Sequence, residues 1–262
     1  MSHAIGSPAP IVPPRASRSR PLSAVQWFYP GSALLLLVLA FLGFARFFVH
    51  GRAYPDRPID PSIRAVVVAH AISMTAWLVL LCVQPTLIAL GRRHLHRRLG
   101  RFGALLAVLV CVLGVSTAVG SARTAPADSI AWGLEPKQFM AVPFVAIVAF
   151  SLFVALGIAF RRRPDVHRAM MLMGTMCAMS AAVSRIDPLN DLYVGTILER
   201  WFGPFLFTLL LGAALVLLRS ALLRRLDRPL ALGLAGVVAA ALFTMNIATT
   251  RAWEAFAAFL IG

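Results

Sequence analysis

The sequence predicts an all-α membrane protein, a polytopic bundle of seven transmembrane helices. Hydrophobic residues make up 60% of the 262 residues, charged residues only 13%, and the mean hydropathy is +0.82. Soluble domains are about 45–50% apolar and about 25% charged, so this composition indicates a chain embedded in lipid. Seven apolar segments come near the roughly 17–25 residues that a helix needs to cross a bilayer. They cover approximately residues 31–49, 65–90, 103–119, 139–160, 169–184, 201–218 and 230–250.

The ends of the chain and one of its spans need separate interpretation. Residues 1–26 are rich in Pro, Ser, Ala and Arg and contain no apolar run, so we predict a disordered cytoplasmic tail followed by a single membrane domain, residues 27–262. The fifth segment is short in apolar residues, and we expect its helix to begin earlier, inside the loop that contains His167. Residues 251–262 follow the last span and are predicted to form a short interfacial helix.

The arginines orient these spans. Sixteen of the 25 basic residues fall in the tail and in the loops after the second, fourth and sixth spans, together with only two acids. The other side has nine basic residues and eight acids. The positive-inside rule then places the N-terminus in the cytoplasm and the C-terminus outside, and we predict a multi-pass protein of a bacterial inner membrane. The net charge of +15 is thus explained by loops that meet anionic lipid, and no nucleic-acid partner is expected.

Several classes of membrane protein are not favoured. A microbial rhodopsin has the opposite orientation and needs a lysine in its last helix, whereas the one lysine here is Lys137. No Asp or Glu lies in the middle of a span, as a proton-coupled carrier usually requires. The hydrolase and nucleotide-binding motifs GxSxG, HExxH and the Walker loop are missing. We therefore assign no catalytic residue.

A polar stripe on the second segment is the first candidate site. His70, Met74, Trp77, Leu81 and Gln84 follow a helical spacing and share one face. Ionisable groups are costly inside a membrane, so a histidine there is a functional candidate. The alternative is a helix–helix seam in which His70 and Gln84 hydrogen-bond to neighbouring helices.

His96 and His167 form the second candidate site. Each precedes an apolar run by a few residues at the cytoplasmic end of a span, so the two imidazoles lie at similar depth. Two such imidazoles on two helices are what a six-coordinate haem iron requires. The neighbouring Arg97 and Arg168 would then bind the haem propionates. Alternatively, these histidines meet lipid phosphates at the membrane surface.

Methionines follow His167 along the fifth segment at intervals of three residues, a composition that also suits Cu(I). A three-residue step drifts by about 60° per interval on a helix of 3.6 residues per turn. The sulfurs therefore do not converge on one site, and methionine is a common filler of apolar interiors.

The stretches HAISMTAW and QPTLIALGRRHLHRRLG resemble a group of bacterial multi-pass membrane proteins of unknown function that share an H…HRxLG signature. A later helix of that group carries an HR-M element that ends at an arginine, matched here by His167, Arg168, Met171 and Arg185. The resemblance covers residues 65–186, about half of the chain.

A more distant resemblance is to the ascorbate-reducible transmembrane cytochromes b and their ferric-reductase relatives. Their four-helix core pairs histidines of the first and third helices and of the second and fourth helices. His96 and His167 match the second pair, which holds the inner haem. His70 matches the first helix, but the fourth segment has no histidine to pair with it. Either Met140 or Gln138 would substitute there, or the outer haem is missing.

The expected function is transmembrane electron transfer through one b-type haem near the cytoplasmic face, with His96 and His167 as ligands of its iron. His70 would then face an outer haem, a quinone or another electron carrier. If the protein is an enzyme, the resemblance implies an oxidoreductase-like cytochrome. The alternative function is that of a non-redox membrane protein, either an accessory subunit of a larger membrane complex or a carrier of an apolar small molecule.

Overall fold

The computed structural model describes residues 23–53, 56–126 and 128–262. In these residues seven helices are long and apolar enough to cross a membrane, which confirms the all-α class and makes the chain a multi-pass membrane protein. The elements in chain order are α1 (Ala24–Gly43), α2 (Ala45–His50), β1 (Arg52–Ala53), β2 (Arg57–Pro58), α3 (Arg64–Ala89), α4 (Arg93–Arg123), α5 (Pro136–Phe139), α6 (Ala141–Ala159), α7 (Pro164–Val183), α8 (Asp187–Asn190), α9 (Ile197–Phe202), a 3₁₀ turn (Gly203–Phe205), α10 (Leu206–Leu223), α11 (Arg228–Ile247) and α12 (Arg251–Ile261). The spans are α1, α3, α4, α5–α6, α7, α9–α10 and α11.

The helix boundaries correct one prediction and confirm two. α1 begins within the predicted tail of residues 1–26, where the Gln26 side chain accepts a hydrogen bond from the Ser23 backbone N–H (2.8 Å) and caps the first turn. The rest of that tail, residues 1–22, lies outside the described residues. α7 begins at Pro164, earlier than its apolar run, as expected, and proline suits a first helical position. A short helix, α12, forms where the sequence predicted one.

The outward faces of the spans are apolar. Leu105 on α4, Leu217 on α10 and Leu232 on α11 are each at least 70% exposed. Backbone polar groups within the spans are satisfied inside the helices, as hydrocarbon surroundings require. These exposed leucines therefore mark the surface that faces lipid.

α7 is the central helix of the bundle, and it packs against α1, α6, α10 and α11. Its methionines fill the core: Met173, Met176 and Met179 are almost completely buried. Met173 lies against Gly233 of α11, where a Cβ atom would come within 2.8 Å of its Cγ. His167 and Met179 are twelve residues apart and thus about 18 Å apart along the helix. The methionines belong to apolar packing along the whole span.

A second, smaller core lies where α3, α4, α6 and α7 come together. It is centred on Trp77 of α3, which packs edge-on against Phe150 of α6 (ring centres 5.0 Å apart). The Trp77 Nε1–H donates to Thr175 Oγ1 of α7 (3.0 Å), and this bond links α3 to α7. α4 packs on α3 and α6, while α7 packs on α6 and α1, so α4 and α7 face each other across this core.

Removing the indole N–H of Trp77 tests whether its hydrogen bond to Thr175 stabilises the fold. We expect Trp77→Phe to lower the free energy of unfolding by about 1–2 kcal/mol, through one lost hydrogen bond and a small void. The Thr175 hydroxyl keeps its own bond to the Met171 carbonyl, which limits the loss. Thermal unfolding in a mild detergent measures the effect, with Trp201→Phe, at an exposed position, as the matched control. Equal free energies of unfolding for Trp77→Phe and Trp201→Phe would contradict a stabilising role for the Trp77 hydrogen bond.

The end of the bundle at which α4, α7 and α11 begin is called here the arginine-rich end. A buried ion pair lies there: Arg219 of α10 and Asp227, which precedes α11, have Nε and Oδ2 3.3 Å apart and are 1% and 7% exposed. The Arg219 Nη1 also donates to the Val25 carbonyl of α1 (2.8 Å). Its guanidinium lies 5.2 Å from the ring centres of both Phe28 and Tyr29. This cluster joins α1, α10 and α11.

Surface contacts join the helices at the opposite end. Arg46 after α1 pairs with Asp187 (2.8 Å), with both side chains partly exposed. Arg123 at the end of α4 donates to the Leu260 and Ile261 carbonyls of α12 (2.7 and 2.9 Å). α12 therefore lies against the end of α4.

Candidate functional site

His96 and His167 lie together at the arginine-rich end. α4 begins about ten residues before its apolar run, and α7 begins at Pro164, so that each histidine is the fourth residue of its helix. Because both helices start at the same end, the two side chains are at the same depth. Their ring centres are 6.2 Å apart and the ring planes are nearly perpendicular, at 89°. The structure thus brings together the two residues that the sequence analysis paired.

The His167 ring is oriented by the end of α6. Its Nδ1 lies 2.8 Å from the Gly157 carbonyl oxygen. That carbonyl receives no helical bond from Arg161, whose N–H bonds to Ile158 instead (3.2 Å). A helix end leaves such carbonyls unpaired, and the imidazole N–H satisfies this one. Since a carbonyl only accepts, Nδ1 carries the proton, and the Nε2 lone pair of His167 is left available.

His96 is contacted by Gln84 from the last turns of α3. With its amide nitrogen turned toward His96, Gln84 donates to the imidazole Nδ1 and to the His96 carbonyl (3.2 Å), and its oxygen accepts from the Gly100 N–H (3.0 Å). Both Nδ1 atoms of the histidine pair are therefore engaged by neighbouring helices. Among the described residues, no hydrogen bond reaches either Nε2.

His70 does not join this pair. It lies fourteen residues before Gln84 on α3, about 21 Å along the helix axis. Its Nδ1 is buried and has no hydrogen-bond partner among the described residues. Gly114 of α4 leaves room for the ring, since a Cβ atom there would be 3.3 Å from its Cε1, and Ile147 of α6 contacts the same glycine.

The surroundings of the two residues considered as substitutes for the missing partner of His70 are as follows. Gln138 caps α5 and its amide donates to Glu254 of α12 (3.2 Å). Met140 is buried two turns before Ile147, the α6 residue that shares Gly114 with His70.

The two predicted arginines point to different surroundings. Arg168 lies over the Tyr29 ring, 5.1 Å from its centre, and so contacts α1. Arg97 is exposed beside His96. Within the described residues, Arg97, which follows His96 in the chain, makes no such contact with an aromatic ring.

The distance between the two ring centres can be compared with that of two imidazoles bound to one metal ion. Two imidazoles that bind one metal ion from opposite sides, each through a nitrogen about 2 Å away, have ring centres about 6 Å apart. The observed separation is 6.2 Å. Metal-binding histidines characteristically donate their second N–H to a carbonyl or another acceptor, as His167 does to Gly157. One turn further into the bundle Met171 begins the apolar lining, packed against the Trp77 cluster.

Sequence reasoning named Gln84 but missed the backbone groups around these rings. The Gly157 carbonyl and the Gly100 N–H belong to the backbone, and no side-chain pattern reports them. One signal was present: the run RRRP after α6 indicates a helix end, and hence unpaired carbonyls, ten residues before His167.

Comparisons of this chain with protein-family models, with curated proteins and with solved structures return no match.

Proposed function

We propose that this integral membrane protein is an electron carrier that holds one b-type haem between His96 and His167 at the arginine-rich end. The observation that supports this proposal is the 6.2 Å separation of the two rings, with each Nδ1 engaged and with no hydrogen bond to either Nε2 from the described residues. A bound haem would supply reversible one-electron chemistry there.

The residues of the chain have distinct parts in this proposal. His96 and His167 provide the axial nitrogens, Gly157 and Gln84 orient them, and Arg97 provides a cationic rim for propionates. Arg168, the second predicted propionate partner, also lies over the ring of Tyr29 on α1. Electrons would be exchanged with a quinone in the lipid or with another carrier, within a larger membrane complex or alone. The proposal includes a bacterial inner membrane with the arginine-rich end in the cytoplasm.

The test is haem content. The protein is expressed with added haem precursor and purified in detergent, and haem per chain and the reduced-minus-oxidised spectrum are measured. We expect a sharp low-spin band in the parent protein. In His96→Ala and His167→Ala we expect the haem content per chain to fall on the order of tenfold or more. His94→Ala is the matched control, because His94 is exposed on the same first turn of α4 as His96.

Two outcomes would overturn the proposal. One is a folded, colourless parent protein, which would leave His167 as a cap of α6 and Gln84–His96 as a helix–helix hydrogen bond. The alternative function, a non-redox accessory subunit or carrier, would then be preferred. The other is an equal haem content in all three variants, which would place the haem elsewhere. Size-exclusion profiles of each variant confirm that a loss of haem is not a loss of fold.

A further inference from the structure

The side-chain amide of Gln84 has one orientation that suits its surroundings. Facing it are the carbonyl oxygen of His96, which only accepts, and the N–H of Gly100, which only donates. Placing the amide nitrogen toward the carbonyl and the amide oxygen toward the N–H satisfies both. The reverse orientation sets oxygen against oxygen and N–H against N–H.

This orientation determines the tautomer of His96. The amide nitrogen then donates to Nδ1, so Nδ1 carries no proton, and in the neutral ring the proton is on Nε2. His167 is the opposite case, because its Nδ1 donates to the Gly157 carbonyl and its Nε2 is bare. The two histidines of the pair are therefore held in opposite tautomers.

The opposite tautomers make the two histidines unequal as ligands. A neutral histidine that binds a metal through Nε2 must carry its proton on Nδ1. His167 already meets this requirement. Its Nδ1 faces the backbone carbonyl of Gly157, which can accept a hydrogen bond but cannot donate one. His96 meets it only if its proton moves from Nε2 to Nδ1 and the Gln84 amide turns over to present its oxygen. The net protonation of the ring does not change.

We infer that Gln84 is a positioning residue that makes His96 the conditional ligand of the site and His167 the constitutive one. The inference rests on the proposed function for its ligand, but the tautomers themselves belong to the protein without haem. Gln84 opposes ligation at His96 in one orientation and supports it in the other. Turning the Gln84 amide from the first orientation to the second costs the two hydrogen bonds that it makes to the backbone of α4.

Two substitutions of Gln84 change the tautomer preference of His96 in different ways. Gln84→Glu places a carboxylate there, which only accepts, and so favours the proton on His96 Nδ1. Gln84→Met has a similar length and neither donates nor accepts strongly, and so removes the bias. Both keep a side chain of comparable size between α3 and α4, and thermal unfolding of each variant checks the fold.

The first readout uses haem-free protein. ¹⁵N chemical shifts of labelled histidines in detergent report which ring nitrogen carries the proton. We expect His96 to show Nε2–H in the parent and Nδ1–H in Gln84→Glu, with His167 showing Nδ1–H in both. The exposed His94 serves as an internal reference for an unbiased mixture. If His96 shows Nδ1–H in the parent, or the same tautomer in both proteins, the inference is wrong whether or not haem binds.

The second readout uses loaded protein. We expect Gln84→Glu to bind haem about tenfold more tightly and to have a more negative midpoint potential, because an anionic acceptor raises the basicity of the imidazole. Gln84→Met, lacking that acceptor, should fall between Gln84→Glu and the parent in affinity. Haem binding with an affinity and a potential that do not change among the three proteins would overturn the role of Gln84 and leave the proposed function intact. A colourless parent with the expected tautomers would instead overturn the proposed function and the ligand roles, and it would leave the assignment of the two tautomers intact.

Discussion

Replacing Asp227 by asparagine is expected to lower the free energy of unfolding by about 3–5 kcal/mol, because it leaves the guanidinium of Arg219 buried without its counter-charge. Arg219 is 1% exposed, and its Nε lies 3.3 Å from the Asp227 carboxylate. Asparagine keeps the side-chain oxygen that accepts from the Leu230 N–H (3.2 Å) and caps α11. The substitution therefore removes the charge while it preserves the cap.

The measurement is unfolding in a mild detergent, followed by circular dichroism. Asp165→Asn is the matched control, since Asp165 is an exposed acid in the first turn of α7 at the same end of the molecule. A second variant, Arg219→Met together with Asp227→Asn, should recover part of the loss because no buried charge remains. If Asp227→Asn is as stable as Asp165→Asn, the ion pair between Arg219 and Asp227 does not stabilise the fold.

Replacing Gly43 by alanine is expected to separate α1 from α7 and to cost about 3 kcal/mol of unfolding free energy. A Cβ atom on Gly43 would collide with the backbone carbonyl of Ala182 on α7. Backbone atoms within a helix cannot turn away as a flexible side chain does, so the whole of one helix must shift. At the last turn of α1 the two helix backbones are therefore in close contact.

The same helix offers a control for Gly43→Ala. At Gly31 on α1, an added Cβ would have no described atom from elsewhere in the bundle within 4 Å. We expect Gly31→Ala to be neutral or to gain up to about 1 kcal/mol, since alanine is the better helix former. Ala182→Gly should not rescue Gly43→Ala, because the collision involves the carbonyl and not the alanine methyl group. Rescue by that substitution, or equal stability of the two glycine variants, would refute the close approach.

Much of the architecture was predictable because the physical requirements are local. A span needs a run of apolar residues, and each of the seven runs corresponds to one of the helices long and apolar enough to cross a membrane. The short fifth run also indicated that α7 begins before it, and the helix begins at Pro164. The pairing of His96 with His167 followed from equal depth at two helix starts, and the two rings are 6.2 Å apart.

Other features depend on groups that are distant in the sequence or belong to the backbone. Arg219 and Asp227 were counted among the basic and acidic residues of a cytoplasmic loop, but α1 covers them and makes them a buried pair. Arg168, predicted to bind haem propionates, lies over the Tyr29 ring of α1, a contact that no spacing within its own helix indicates.

The sequence by itself determined the class, the number of spans and the candidate histidines, since hydropathy and helical period act over neighbouring residues. Only the tertiary structure decided what each histidine faces. The Gly157 carbonyl orients His167, the Gln84 amide orients His96, and the buried Nδ1 of His70 has no partner within the described part of the chain. The physical reason is that a hydrogen-bond partner on another helix depends on how the helices rotate and pack, and no spacing within one segment records that rotation.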